Sequence, residues 1–214
     1  MKENAKPAIE PPRSLATFSW VGGHVALDFA NSVGGVAVGQ PENYLHGYED
    51  LLEWCQRADL IGPISRKALS AGSSQAKAEA FKESEALNAS LRALFHAAAH
   101  HEVLPQAALN HLNSLVQKTA AWRRIAACDD EGRKISCGWD FKGAPPIAVL
   151  GPIVWRAVEF LENGPLDRIK ECGAGDCGWM FLDTSKNRSR QWCSMQTCGN
   201  LSKVRRFRDR QKSA

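Results

Sequence analysis

Four cysteines near the C-terminal end constrain the fold of this chain more than any other feature of its sequence. They form two close pairs, Cys172 with Cys177 and Cys193 with Cys198, and each pair encloses four residues. Fifteen residues separate the pairs. Tetrahedral coordination of one ion suits this arrangement, because each pair can supply one edge of the tetrahedron. Four coordinating cysteines leave no position for a catalytic water, so the spacing predicts one structural zinc ion.

The surroundings of these cysteines leave one alternative open. Glycine and polar residues flank both pairs, which makes the four thiols poor candidates for buried apolar side chains. A redox-responsive thiol cluster that releases its metal on oxidation is the alternative to a purely structural site. Three further cysteines lie outside the pattern and are expected to be core residues or incidental: Cys55, Cys128 and Cys137.

The residues around the cysteines predict a small finger. Residues 179–182 read as a short strand, residues 183–190 as a polar turn, and residues 191–192 as the returning strand of a hairpin. A helix is expected from Cys193 to residue 211. The finger would then consist of a knuckle, a β-hairpin and a helix in a treble-clef or ribbon-like arrangement. So short a segment cannot bury enough apolar surface alone, and the metal must therefore supply folding free energy.

Basic residues are concentrated in the same C-terminal segment. Residues 181–214 carry nine Lys or Arg against two Asp, a net charge of +7, whereas residues 1–180 sum to −3. This asymmetry indicates that the C-terminal end meets a polyanion. The candidate nucleic-acid contacts are Lys186, Arg188, Arg190, Lys203, Arg205, Arg206, Arg208 and Arg210.

The final helix is expected to have two faces. Leu201, Val204 and Phe207 fall on one face, which can dock on the finger. Arginine side chains on the other face would bind phosphates bidentately or match the acceptors of guanine, although a solvated basic tail is an equal alternative. The residues that project from this second face are Lys203, Arg206 and Arg210.

The N-terminal part of the chain predicts a helix-rich α+β domain. Apolar residues alternate with polar or small ones over residues 25–29, which indicates a half-buried strand, and residues 134–141 are a second candidate. We expect these two strands to pair in a small antiparallel sheet. Residues 70–80 are expected to form a loop. Apolar stripes at helical spacing predict helices over residues 48–58, 87–98, 109–120 and 152–163.

These segments divide the chain into three parts. Residues 1–16 are expected to be a disordered lead-in, residues 17–165 the helix-rich domain, and residues 168–212 the finger with its basic helix. The lead-in lacks the basic-then-apolar pattern of a signal sequence, and no apolar run approaches the roughly 20 residues that cross a bilayer. We therefore expect a cytoplasmic protein with reduced thiols and no contact with a membrane.

A polar cluster in the N-terminal domain is a candidate ligand site. His24, Asp28 and Asn31 lie close together in the sequence and would line a small-molecule pocket. Capping and turn hydrogen bonds are the alternative, which we prefer.

Histidines at the end of a predicted helix are a candidate for a second metal. His96 and His100 stand four residues apart, with His101 beside them, but no H-E-x-x-H pattern accompanies them. A solvated helix end is the preferred interpretation. The sequence contains no nucleophile elbow, phosphate loop or dinucleotide fingerprint, so we do not expect an enzyme.

The C-terminal motifs resemble a known family of bacterial proteins. The run CGAGDCGWMFLDTSKNRSRQWCSMQTCGN, followed by KVRRFR, is similar to the CGNR zinc finger over most of residues 168–210. The segments VGGHVALDFANS and YEDLLEWCQRADLIG resemble the ABATE domain, the usual partner of that finger. The resemblance implies zinc on the four cysteines and a stress-related transcription regulator whose finger touches DNA. The family run ends in Arg, whereas Leu201 stands here, so that contact is missing or supplied by a neighbour such as Lys203.

Two functional hypotheses follow. In the first, the protein is a zinc-stabilised DNA-binding regulator whose N-terminal domain senses a small-molecule effector or forms a homodimer, with RNA as a variant of the nucleic acid. A dimer is expected because a single finger offers a small interface for specific recognition. In the second, the finger is an adaptor that docks an acidic protein through Trp179, Phe181 and the basic helix. Trp179 and Trp192 would stack on bases or form the finger's own core.

Overall fold

The computed structural model describes residues 13–34, 42–127 and 134–212. Within these ranges the chain is mostly helical, with three two-stranded antiparallel sheets. The helices are α1 (Val25–Ala30), α2 (Tyr48–Arg57), α3 (Pro63–Leu69), α4 (Ser74–Ala99), α5 (Gln106–Thr119), α6 (Leu150–Asn163) and α7 (Asn200–Lys212). The strand pairs are β1 (Val33–Gly34) with β2 (Glu42–Asn43), β3 (Arg123–Ala127) with β4 (Ile135–Trp139), and β5 (Ile169–Glu171) with β6 (Met180–Leu182).

Helix α4 is the central element of the core. It contacts α1, α2, α5 and α6 within the N-terminal domain and β5 of the finger. Its inward face follows the predicted stripe, and the fully buried side chains are Leu87, Leu91, Leu94 and Phe95. The helix begins earlier than predicted, because the Ser73 hydroxyl accepts a hydrogen bond from the Ala76 amide and caps the first turn. The loop predicted over residues 70–80 is therefore confined to its first few residues.

The strand predicted over residues 25–29 is wrong, because these residues form helix α1. The alternation suggested a half-buried strand, but Ala26 and Ala30 are as completely enclosed as Leu27 and Phe29. A short helix that is buried on all sides shows no apolar stripe at helical spacing. Its sequence therefore does not distinguish the helical period of about 3.6 residues from the strand period of two. The second predicted strand is confirmed as β4, but it pairs with β3 instead of residues 25–29.

The remaining predicted helices are confirmed as α2, α5 and α6. One helix was missed: Gly62 and Pro63 end the preceding segment as expected, but Pro63 is also the first residue of α3. On α6 the stripe Val154, Trp155, Val158 and Leu161 predicts the inward face, but the buried side chains are Ile153, Val154, Ala157 and Phe160. Most of the predicted lead-in, and Cys128, lie outside the described residues.

The finger and the N-terminal domain share one continuous core. The Asn31 amide donates to the Met180 carbonyl at 2.7 Å, and its oxygen accepts from the Met180 amide at 2.9 Å. The Leu182 amide donates to the Gly22 carbonyl at 2.7 Å, beside this pair. Trp179 packs among the rings of N-terminal aromatic residues. Strand β6 of the finger is thus fixed to the residues that flank α1, by the Asn31 side chain after the helix and the Gly22 carbonyl before it, as well as by apolar contacts.

Replacing Asn31 by Ala is expected to destabilise the whole chain. The change leaves the Met180 amide and carbonyl unpaired in a site where Asn31 is completely buried, a loss of about 2–5 kcal/mol in the free energy of unfolding. Urea denaturation followed by circular dichroism measures it. The matched control is Asn110→Ala on the exposed surface of α5, which should change stability by less than about 0.5 kcal/mol. Equal stability losses in the two variants would contradict the role given to Asn31.

Candidate metal centre and nucleic-acid interface

The four predicted zinc ligands come together at one point. Their sulphur atoms all lie within 4.8 Å of one another, with Cys177 Sγ 3.7 Å from Cys193 Sγ and Cys193 Sγ 3.5 Å from Cys198 Sγ. Sulphur atoms about 2.3 Å from a tetrahedral zinc ion lie roughly 3.8 Å apart. The donor set and its spacing therefore fit one structural zinc ion without rearrangement of the chain.

Three segments of the chain position these sulphurs. Cys172 directly follows β5, and its amide donates to the Trp179 carbonyl at 2.8 Å, so the first pair occupies the loop between β5 and β6. The Cys193 amide donates to Cys172 Sγ at 3.3 Å. Cys198 lies in a π-helical turn, Met195–Gly199, immediately before α7. Both cysteines of the second pair thus precede α7, which begins at Asn200 and not at Cys193 as expected.

The predicted hairpin has the right first strand but the wrong partner. Strand β6 pairs with β5, which precedes the first cysteine, whereas residues 191–192 form no strand. The Gln191 carbonyl accepts a hydrogen bond from the Gly173 amide at 2.8 Å, which brings this segment against the knuckle instead. The loop that carries Cys172 and Cys177 is therefore also the loop that joins β5 to β6.

Close packing of the thiols keeps several of them from ionising together unless a cation is bound. Hydrogen bonds from Cys177 and Cys193 lower the pKa of Cys172 to about 2, whereas the bond to Cys172 raises the pKa of Cys177 to about 12. The pKa of Cys193 is raised for the same reason. Without a cation, these three sulphurs cannot all be thiolates at neutral pH. A divalent ion holds every ligand as a thiolate, which is the state that zinc binding requires.

A buried carboxylate, missed in the sequence, organises the turn between the cysteine pairs. Asp183 is completely enclosed and accepts from Lys170 Nζ at 2.6 Å, the Ser185 amide at 2.9 Å and the Arg190 amide at 3.1 Å. Hydrogen bonds from Lys170 and Ser185 hold the pKa of Asp183 well below its usual range. The carboxylate therefore stays ionised and fixes the path of the chain toward Cys193.

Arg190 is part of this internal scaffold and not of an exposed surface. Its guanidinium donates to the carbonyls of Val21 at 3.1 Å and of Trp192 (through Nε) at 3.0 Å, and it also donates to the Cys193 carbonyl. It lies 4.1 Å from the centre of the Phe181 ring. These contacts use the hydrogen-bonding groups that a phosphate would need, so we remove Arg190 from the candidate nucleic-acid contacts.

The other candidate contacts are exposed. Arg188 pairs with Asp167 at 2.8 Å, and Arg205 pairs with Asp176 at 2.5 Å. Both pairs are solvent-accessible, and such pairs contribute little and exchange readily for another anion. The Arg206 guanidinium lies 5.7 Å from the Trp192 ring centre. The exposed cations of the finger are Lys186, Arg188, Lys203, Arg205, Arg206, Arg208 and Arg210.

The apolar face of α7 does not dock on the finger, contrary to the prediction. Leu201, Val204 and Phe207 are 55%, 45% and 62% exposed. Every side chain of residues 203–211 is exposed, because the helix meets the finger only near its start. Helix α7 therefore presents a cationic face and an apolar face to solvent. Trp179 and Phe181, by contrast, are 7% and 0% exposed and belong to the core.

The residues of the predicted ligand pocket make local and junction hydrogen bonds. His24 Nδ1 accepts from the Ala26 amide at 3.2 Å and caps α1, and Asp28 accepts from the Gly22 amide at 2.8 Å. Burial raises the pKa of Asp28 to about 6. His24 and Asp28 thus make local hydrogen bonds of the kind that the capping interpretation describes, whereas Asn31 bonds to Met180 across the junction with the finger.

Cys55 is buried in α2, and Cys137 is exposed on β4. None of the helices in the described ranges is both long enough and apolar enough to cross a lipid bilayer.

Comparison with known families covers nearly the whole chain. Residues 23–164 match the family model ABATE, described as "Putative stress-induced transcription regulator". Residues 168–211 match the model described as CGNR zinc finger, a range that contains all four cysteines and α7 except its last residue. A search of curated proteins finds no match to the chain.

Proposed function

The chain belongs to the ABATE family and carries a CGNR zinc finger, and from this premise we propose that it is a zinc-dependent regulator whose helix α7 binds DNA. In this proposal the zinc site fixes the start of α7, and the helix contacts the phosphate backbone. The N-terminal domain holds the finger in place through β6 and α1. The single observation that carries the proposal is the exposed cationic face of α7.

The cationic face consists of residues at positions i, i+3 and i+7 of the helix. Such positions lie on one side of an α-helix, so their side chains can contact one strand of phosphates together. Each of the three is exposed, and none is in an ion pair within the described ranges. Its members are Lys203, Arg206 and Arg210.

The net charge of the finger favours a polyanion even when the metal site is included. Residues 172–214 carry nine cations against three Asp, or +6. Four thiolates and one Zn²⁺ together add −2, which leaves +4. A 13-residue helix is roughly 20 Å long and about 10–12 Å wide with its side chains, so α7 has dimensions that suit the major groove.

A protein-interaction role is the second candidate, and the apolar face of α7 favours it. Leu201, Val204 and Phe207 would be covered by a protein partner but not by phosphates. Trp179 and Phe181, which the sequence suggests as docking residues, are buried and cannot contact a partner. RNA is an alternative polyanion for the same cations. The nucleic-acid role and the protein-interaction role differ in their response to salt, because the affinity that comes from phosphate contacts falls strongly as salt rises.

The test is fluorescence anisotropy of labelled duplex DNA with the zinc-loaded chain across a series of salt concentrations. We expect affinity to fall steeply with salt, with log K declining by about 0.9 for each phosphate contact per tenfold increase in salt. Single-stranded RNA of the same sequence is measured in parallel. Tighter binding to RNA would move the proposal to that polymer, and no binding to either at low salt would favour the protein-interaction role.

A further inference from the structure

The C-terminal end of α4 and the end of β5 bring together three metal-binding side chains that are distant in sequence. His96 and His100 lie on successive turns at the end of α4, and Glu171 is the last residue of β5. Glu171 Oε2 is 3.8 Å from His96 Nε2 and 4.0 Å from His100 Nε2. One ligand atom from each residue lies within 4.8 Å of the other two. The acidic partner that the histidines lack in the sequence is thus supplied by the finger.

We propose that His96, His100 and Glu171 bind one divalent transition-metal ion, with zinc as the clearest example, separately from the cysteine centre. Two imidazole nitrogens and one carboxylate are a donor set that such ions accept, with a fourth position left for water. Ligands about 2.0–2.2 Å from a tetrahedral zinc lie roughly 3.4 Å apart. Small rotations of these half-exposed side chains therefore suffice to close the site.

The hydrogen bonding of His100 prepares it for this role. Its Nδ1 is 2.9 Å from the His96 carbonyl oxygen, which can only accept, so Nδ1 carries the proton. The lone pair of the neutral ring is then on Nε2, the atom that approaches Glu171. A hydrogen bond on the other ring nitrogen is the usual support of a metal-bound histidine. The two rings stack with centres 4.2 Å apart, which holds both Nε2 atoms on the same side of the helix.

The surroundings indicate an exchangeable site and not a second permanent one. All three ligands are exposed to solvent. Arg92 lies one turn before His96 and its charge acts on Glu171, although its guanidinium donates to the carbonyls of Ala30 and Gly178. A nearby cation weakens metal binding, so we expect lower affinity than at the four cysteines. Since Glu171 precedes Cys172, an ion here would tie α4 directly to the finger, whether or not α7 binds DNA.

Equilibrium dialysis of the full chain against zinc chloride, with bound metal measured by atomic absorption, tests the proposal. The wild-type chain should bind a second zinc equivalent that a mild chelator removes while the cysteine zinc remains. His100→Asn and Glu171→Gln should each weaken the second equivalent by about tenfold or more, since even outer-shell changes cost roughly 10–100-fold in affinity.

His101→Asn is the matched control, because it removes a neighbouring imidazole outside the cluster. His101 has φ +57°, a conformation that Asn tolerates, so the chain should still fold and keep both ions. Replacing the cysteine zinc by cobalt gives a thiolate absorption band, which should be unchanged in every variant if the finger is intact. A wild-type chain that never exceeds one equivalent overturns the proposal. The proposal is also overturned if the His100→Asn and Glu171→Gln variants still bind a second zinc ion with full affinity.

Discussion

Replacing Cys193 by Ser is expected to remove the zinc and unfold the finger together with part of the N-terminal domain. Structural zinc sites contribute about 10–16 kcal/mol of apparent binding free energy, which is comparable with or larger than the roughly 5–15 kcal/mol stability of a whole domain. The effect should spread because Met180 and Phe181 are buried in the shared core. Zinc content by atomic absorption and thermal unfolding by circular dichroism measure the two losses.

Cys137→Ser is the matched control for this change. Cys137 is exposed on β4 and outside the cluster, so its replacement should leave zinc content and melting temperature unchanged. A Cys193→Ser chain that keeps one tightly bound zinc and melts like the wild type would contradict the assignment.

The redox alternative predicts zinc release by mild oxidants. Cys172 and Cys193 are buried, but Cys177 and Cys198 are partly exposed, so oxidation is expected to begin at these two, because thiol oxidation requires access.

Replacing Lys203, Arg206 and Arg210 together by Gln is expected to weaken DNA binding about 100-fold at moderate salt. Three charged contacts at about 1 kcal/mol each give roughly 3 kcal/mol, and each 1.4 kcal/mol is a factor of ten in affinity. The dependence of log K on log salt should become shallower by about three, one for each lost phosphate contact. Anisotropy across the salt series measures both changes.

An equal change of net charge elsewhere serves as the control. Lys67, Lys82 and Lys142 are exposed on the N-terminal domain, and their replacement by Gln should leave most of the affinity and the salt dependence intact. Similar losses in both triple variants would mean that the chain responds to total charge and that α7 has no special role. Zinc content must be equal in all variants, since loss of the finger would imitate loss of contacts.

The parts of the fold that local sequence determines were predicted well. Cysteine spacing indicates the metal centre because two close pairs can each supply one edge of a tetrahedral site. The stripes of α4 and α5 were visible because these long helices bury one face. Helix α1 reads as a strand in the sequence because it is buried on all sides. Its apolar residues therefore favour neither the helical period nor the strand period.

The features that the sequence did not reveal depend on contacts between distant residues. The strand β5 that pairs with β6 lies before the first cysteine, and its three residues carry no strong pattern. Arg190 looked like one more cation of the basic segment, but carbonyl groups of Val21 and Cys193 surround it. Glu171 could not be associated with His96 and His100, because only the packing of the finger on α4 brings them together.

Hydrogen–deuterium exchange of the zinc-loaded chain with and without duplex DNA tests the central claim most directly, because it locates the contact as well as detecting it. The amides of α7 are on an exposed helix and should exchange quickly in the free protein. DNA is expected to slow exchange in residues 200–212 and in the exposed turn around Lys186, with no change in α4 or α5. Bound DNA that leaves the exchange of α7 unchanged, or that protects the N-terminal helices instead, would contradict the account.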